Sequence, residues 1–165
     1  MNGYSFFAPT KVLFGAGKLG ELGAQKLPGT KALIVTTGGN SVKRFGYLGC
    51  VEAELDRAGV AHELFDRIEP NPLRETVNAG GWMARTHGCD FVLALGGGSV
   101  MDGSKGICAV AANPHTDAEG NECPGDIWDF VNGGTALGLP IPNDPLPLVC
   151  VTTTAGTGSE VDAGG

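Results

Sequence analysis

The densest run of chemically informative residues is Gly96-Gly97-Gly98-Ser99, with Asp102 and Lys105 close behind it. Three residues without Cβ atoms let an anion come close to the backbone. A helix opening at Ser99 would aim its free N–H groups and the positive end of its dipole at that anion. A pyrophosphate suits such a cradle. The same residues also make a plain helix start, with Ser99 as cap and Asp102, three positions on, closing a capping box. The two roles are compatible, and three consecutive glycines exceed what a cap requires.

Three further loops have residues suited to nucleotide chemistry. Thr37-Gly38-Gly39-Asn40-Ser41-Val42-Lys43-Arg44 combines small residues, a hydroxyl and two cations. It contains no carboxylate to hold free ribose hydroxyls, which favours a 2′-phosphate; as a bland alternative it is a helix start with a solvated Lys-Arg pair. Gly15-Ala16-Gly17-Lys18-Leu19-Gly20 fits the Gly-x-Gly-x-x-Gly dinucleotide pattern. The acidic residue expected about 20 positions later is missing, so a strand-to-helix turn needing positive φ is the preferred reading of the run. Thr152-Thr153-Thr154-Ala155-Gly156-Thr157-Gly158-Ser159-Glu160 offers hydroxyls and close backbone approach to a cofactor amide or phosphate, or forms a threonine-rich strand end and turn.

These loops need strands and helices to hold them. Phe91-Val92-Leu93-Ala94-Leu95 is continuous and uncharged, as expected of a strand covered on both faces, and Lys31 to Val35 and Leu148 to Val151 repeat the theme. Lys11-Val12-Leu13-Phe14 reads as an early strand and Val60 to Phe65 as a weaker one. Val42, Phe45, Leu48, Val51, Leu55 and Ala58 recur at steps of three and four, which predicts one helix ended by Gly59. A second helix is expected from an Asn71 N-cap and Pro72 to His87-Gly88, weakened by Gly80-Gly81, and a third from Ser99 to about Ala112. Alternating strands and helices predict an α/β, Rossmann-like fold with a predominantly parallel sheet and helices on both faces. From Asn113 to Pro147 the chain is polar, then rich in proline and glycine; only Asp126 to Val131 looks helical, and partial disorder is expected around Thr116 to Pro124.

The 165 residues are 42% apolar and 18% charged, which suits one compact domain and excludes intrinsic disorder. A net charge of −7 argues against nucleic acid and anionic membranes as partners. No apolar window spans a bilayer, and Met1-Asn2-Gly3-Tyr4 lacks a basic leader region, so a cytoplasmic location is expected. Cys50, Cys89, Cys108, Cys123 and Cys150 are odd in number and widely spaced, as reduced core thiols would be. His62, His87 and His115 are scattered, so no metal ligand and no catalytic residue is assigned within the chain.

Four segments stand in a diagnostic order: Pro9-Thr10-Lys11-Val12-Leu13-Phe14-Gly15, Glu69-Pro70-Asn71-Pro72, Gly96-Gly97-Gly98-Ser99 with Asp102 and Lys105, and Thr153 to Glu160. Together they resemble the iron-containing (group III) alcohol dehydrogenase family. The loop from Gly38 to Lys43 resembles its NADP-using butanol dehydrogenase and aldehyde reductase branch. The resemblance implies an N-terminal dinucleotide-binding domain over residues 1–165 of a two-domain enzyme. It further implies that Gly97, Gly98 and Ser99 hold the pyrophosphate, Asp102 lies near the nicotinamide, Thr153 and Thr157 line the cleft, and Gly38, Gly39 and Ser41 receive the adenosine end. NADP is the expected cofactor, ahead of NAD, and the first glycine loop becomes a structural turn. The stretch from Asn113 to Gly125 is longer than the family usually carries there.

By the same resemblance the full-length enzyme moves a hydride between the nicotinamide and a small primary alcohol or aldehyde. A divalent metal, iron or zinc, would be held by an aspartate and three histidines in a helical domain beyond Gly165, and the 165-residue chain alone would be inactive. Apolar surface left for that domain makes a homo-oligomer conceivable. Two alternatives share these residues: a stand-alone nucleotide-binding or regulatory module, and an NAD-dependent relative of the glycerol dehydrogenase or dehydroquinate synthase kind.

Overall fold

The structure is a computed structural model that describes residues 9–162; the Met1 to Tyr4 segment, read above for a leader, lies outside the described residues. Four strands, β1 (Lys31–Thr37), β2 (Ala61–Ile68), β3 (Phe91–Gly96) and β6 (Leu148–Thr152), form one sheet in the order β2-β1-β3-β6. Every pairing is parallel. The connections run through α1 (Ser41–Arg44), α2 (Tyr47–Arg57), α3 (Arg74–Thr86) and α4 (Gly98–Ala112). A two-residue hairpin, β4 (His115–Thr116) with β5 (Glu122–Cys123), lies between α4 and β6.

Alternation along the central strands sends side chains to two cores. Ala32, Ile34, Phe91, Leu93 and Leu95 pack with Leu48, Val51 and Leu55 of α2, while Leu33, Val35, Val92 and Ala94 pack with Val77 and Ala84 of α3 and Met101, Ile107 and Cys108 of α4. Helices therefore cover both faces, which is why β3 is buried from end to end. Asp90, just before β3, accepts hydrogen bonds from the backbone N–H groups of Thr30 and Lys31 at 2.7 Å and 2.8 Å. The starts of β1 and β3 are thereby tied together.

Several local expectations change. Lys11 to Phe14 forms no strand: it pairs with no segment among the described residues, and Val12 and Phe14 are 62% and 95% exposed. The Gly15 and Gly17 turn does need positive φ, at 145° and 78°, and leads into a 3-10 helix over Lys18–Ala24. The helix expected from Val42 to Ala58 is two helices, broken at Phe45-Gly46, where Gly46 takes φ 76°. That break leaves Phe45 outside the core. α3 starts at Arg74 after a Leu73 N-cap, because Asn71 itself sits at φ 55° and cannot begin a helix.

The glycine pair in α3 does the reverse of weakening the fold. A methyl on Gly80 would lie 2.5 Å from Ile107 Cδ1, and one on Gly81 would lie 2.5 Å from Val110 Cγ1, so the missing side chains let α3 and α4 close on each other. The segment around Thr116 to Pro124 is an ordered turn rather than irregular chain. The Asp117 carboxylate accepts from the N–H groups of Glu119 and Asn121 at 3.0 Å and 2.8 Å, and Arg85 of α3 pairs with Glu122. Within the Asp126 to Val131 stretch expected to be helical, a 3-10 helix forms over Ile127–Asp129 with Asp126 as its cap. No helix among the described residues is long and apolar enough to cross a membrane.

Candidate functional site

The C-terminal ends of β1, β3 and β6 bring the sequence-derived loops to one edge of the sheet. That is where open α/β sheets bind ligands. β3 ends at Gly96 and α4 begins at Gly98, with Gly97 in extended conformation as its N-cap and no side-chain cap. Ser99 is thus the second helical residue, and the Ser99–Asp102 capping box is not formed. Val100 N–H already donates to the Gly97 carbonyl at 3.1 Å, whereas the N–H groups of Gly98 and Ser99 have no acceptor that a helix itself can supply and remain available to an anion.

The threonine-rich segment forms the opposite wall. Thr153 N–H donates to the Gly96 carbonyl at 2.9 Å and anchors the end of β6 against the cradle. A methyl on Gly97 would lie 3.1 Å from Thr154 Oγ1, and one on Gly98 would lie 2.9 Å from Thr157 Cγ2. The glycines therefore admit the Thr153–Thr157 segment as well as leaving backbone exposed. Thr157 Oγ1 in turn accepts from Ser159 N–H at 3.3 Å, which holds the turn in place.

Asp102 and Thr153 face an open cleft of about 1710 Å³ that also takes in Ser159, Glu160 and the apolar side chains of Val12, Leu13 and Phe14. Lys105 Nζ lies 3.4 Å from Asp102 Oδ1 and also pairs with Asp162. Gly38 and Gly39 line a smaller cleft of about 440 Å³ with Arg67 and Glu69, and Ser41 opens α1 at the surface beside them. Two carboxylate oxygens, Glu160 Oε2 in the large cleft and Glu69 Oε2 in the small one, are buried without a hydrogen-bond partner among the described residues. Each is a buried acceptor without a donor, on a residue that lines a cleft.

One functional candidate escapes the sequence reading. Lys43, counted there as a free cation, donates to Asp66 Oδ2 at 2.7 Å, and this hydrogen bond holds the Asp66 carboxyl below the ordinary aspartate range. A carboxylate therefore does stand beside the Gly38 loop, supplied by the neighbouring strand. The signal for it is the charged Asp66-Arg67 pair directly after Phe65, in what otherwise reads as a strand.

The remaining reactive side chains are dispersed. All five cysteines are free thiols. Burial pushes the Cys108 thiol up to about 12 and those of Cys89 and Cys150 up to about 11, so they are poor nucleophiles. His115 Nε2 lies 2.6 Å from Asp129, His87 Nδ1 3.4 Å from Glu63 and His62 Nδ1 3.7 Å from Asp56, each with a different carboxylate. No group of three His, Cys, Asp or Glu side chains able to hold a metal occurs among the described residues.

Residues 9–164 match the iron-containing alcohol dehydrogenase family. The chain belongs to that family. It is 38% identical over 165 residues to the probable NADH-dependent butanol dehydrogenase 1 of Bacillus subtilis, covering 99% of this chain and 38% of that one. It is 37% identical over 165 residues to the NADPH-dependent aldehyde reductase YqhD of Escherichia coli, again covering 99% of this chain and 38% of the relative.

The fold of the family is shared as well. The archaeal halo-thermophilic Red Sea brine pool alcohol dehydrogenase ADH/D1 superposes with a TM-score of 0.82 at 38% identity, over 96% of this chain and 38% of the other. The crystal structure of E. coli YqhD gives 0.80 at 37% identity, over 98% of this chain and 38% of the other. The chain thus spans little more than a third of the length of these iron-containing alcohol dehydrogenase relatives.

Proposed function

We propose that the chain is the N-terminal, cofactor-binding domain of a metal-dependent alcohol dehydrogenase. Its complete enzyme transfers a hydride between NADP(H) and a primary alcohol or aldehyde. The observation that carries this reading is the cradle between β3 and α4: uncapped helix N–H groups, two glycines and a threonine wall meeting at one sheet edge. The orphaned oxygens of Glu69 and Glu160 add acceptors on either side of it, so the residues present fit a dinucleotide.

In this reading the backbone at Gly97, Gly98 and Ser99 binds the pyrophosphate, with the dipole of the 15-residue α4 favouring its charge. Thr153 and Thr157 hold the wall, and Asp102, kept near Lys105, orients the nicotinamide end. Gly38, Gly39 and Ser41 take the adenosine end. NADP is preferred because the Gly38–Lys43 loop has no carboxylate of its own, whereas named relatives include both an NADH-dependent and an NADPH-dependent enzyme. When bound, the nicotinamide supplies the hydride chemistry. The metal ligands belong to the remainder of a longer protein, and the isolated chain binds cofactor without turnover.

Calorimetric titration with NADPH and NADH tests this. NADPH binding that disappears in a Gly97→Val, Gly98→Val double variant of unchanged fold supports the cradle. Failure of folded wild-type chain to bind either cofactor, or metal-dependent turnover by the 165-residue chain, contradicts the proposal.

A further inference from the structure

The neighbouring strand bears on cofactor choice through a bulge. Val35 of β1 pairs with Phe65 of β2, but Thr37 pairs with Ile68, so β2 carries one extra residue opposite Thr36. A bulge bends its strand and re-aims side chains. Here it brings Asp66 against the loop that follows β1: a methyl on Gly38 would lie 3.2 Å from the Asp66 carbonyl oxygen, and the Asp66 carboxylate reaches Lys43. The other two cations of the region have aromatic neighbours, Arg44 at 6.0 Å from the Phe45 ring centre and Arg67 at 5.7 Å from that of Phe65.

We infer that Asp66 is a specificity-determining residue that narrows the preference for the phosphorylated cofactor, by occupying Lys43 and setting a negative charge beside the Gly38 loop. This rests on reading the strand-end loops as a dinucleotide site. A 2′-phosphate arriving at that loop must compete with Asp66 for Lys43 and then sit near a like charge. A free ribose meets neither cost, and its hydroxyls are donors that a carboxylate accepts. The Lys43–Asp66 pair is roughly half exposed, with side chains 44% and 37% accessible, so its effect is modest and graded.

The test is calorimetric titration of the 165-residue chain with NADPH and with NADH, in wild type, Asp66→Asn, Lys43→Gln and the double variant. Asp66→Asn is expected to raise the ratio of NADPH to NADH affinity about three- to tenfold, mainly by tighter NADPH binding. Lys43→Gln alone should move the ratio less than about twofold, and in the Asp66→Asn background it should cancel most of the gain. Asp66→Ser, with a different shape and no charge, repeats the measurement should the amide make its own hydrogen bond to Lys43. An unchanged or lowered ratio in both charge-removing variants overturns the assignment while leaving the dinucleotide reading intact. Binding of neither nucleotide by the folded wild type overturns the dinucleotide reading, and the assignment with it.

Discussion

Gly80 and Gly81 in α3 and Gly97 and Gly98 at the end of β3 are two pairs of glycines that do opposite work. At the first pair a side chain would collide with Ile107 and Val110 inside the packed α3–α4 interface. At the second it would meet the threonine hydroxyl and methyl groups of a partly exposed loop. The absent Cβ in the helix pair is a packing device, so replacing it costs stability. At the strand end it sets how closely the Thr153–Thr157 segment approaches the backbone, and in the proposed cofactor site replacement there is expected to cost binding.

Gly81→Val is the most damaging test of that contrast. The added branches have nowhere to go between the helices, and the variant is expected to lose about 3 kcal/mol or to fail to fold, read from its urea midpoint against wild type. A loss below about 1 kcal/mol would mean that the two glycine pairs are not different in kind. Gly98→Val sharpens the other side. It should weaken NADPH binding by about tenfold or more while shifting the urea midpoint by less than half as much as Gly81→Val, because Thr157 lies in an exposed turn that can give way.

The long connection between α4 and β6 offers an intermediate case, since it is fastened to the helix-pair side. Asp126 accepts from Arg74 Nε at 2.8 Å, from Asn78 at 3.0 Å and from the Trp128 N–H at 3.0 Å. The Arg74 guanidinium is the chief cause that holds its carboxyl well below the usual range. A depressed folded value means that the contribution is complete above the unfolded pKa of about 4 and is lost as pH falls through the folded one. Asp126→Asn should therefore cost about 1–2 kcal/mol at pH 7 and show a shallower fall of stability below pH 5 than wild type, measured by thermal melts across pH. Parallel pH profiles would show that Asp126 has no such part. The smallest effect belongs to neither region: Phe14→Ser, at a residue 95% exposed, should change stability by less than about 0.5 kcal/mol.

Which of these features could be read from sequence follows from how local their causes are. β1 and β3 are legible because burial on both faces writes an uninterrupted apolar run into the chain, and β6 has the same kind of run although it is only half-buried at the sheet edge. Lys11 to Phe14 carries a similar run yet pairs with no strand among the described residues, and no local pattern marks that difference. The period through Phe45 hides the break at Gly46, because a glycine at positive φ can interrupt a helix without disturbing the spacing around it. Gly80-Gly81 looked like a defect because propensity is blind to Ile107 and Val110 nearly 30 residues away. The loops of the candidate site were all visible as loops. Invisible was the bulge that carries Asp66 to Lys43, since a shift in strand register leaves no mark on either strand alone.

The order β2-β1-β3-β6 also constrains how the chain takes shape as it is made. β2, β1 and β3 are complete once Gly96 has been synthesised, but the strand that pairs with β3 on its other side is not finished until Thr152. At about 5–20 residues per second this interval lasts roughly 3 to 11 s on the ribosome. For that time the second edge of β3, a strand buried from end to end in the finished fold, lacks its β6 partner and is an open edge that another strand could join.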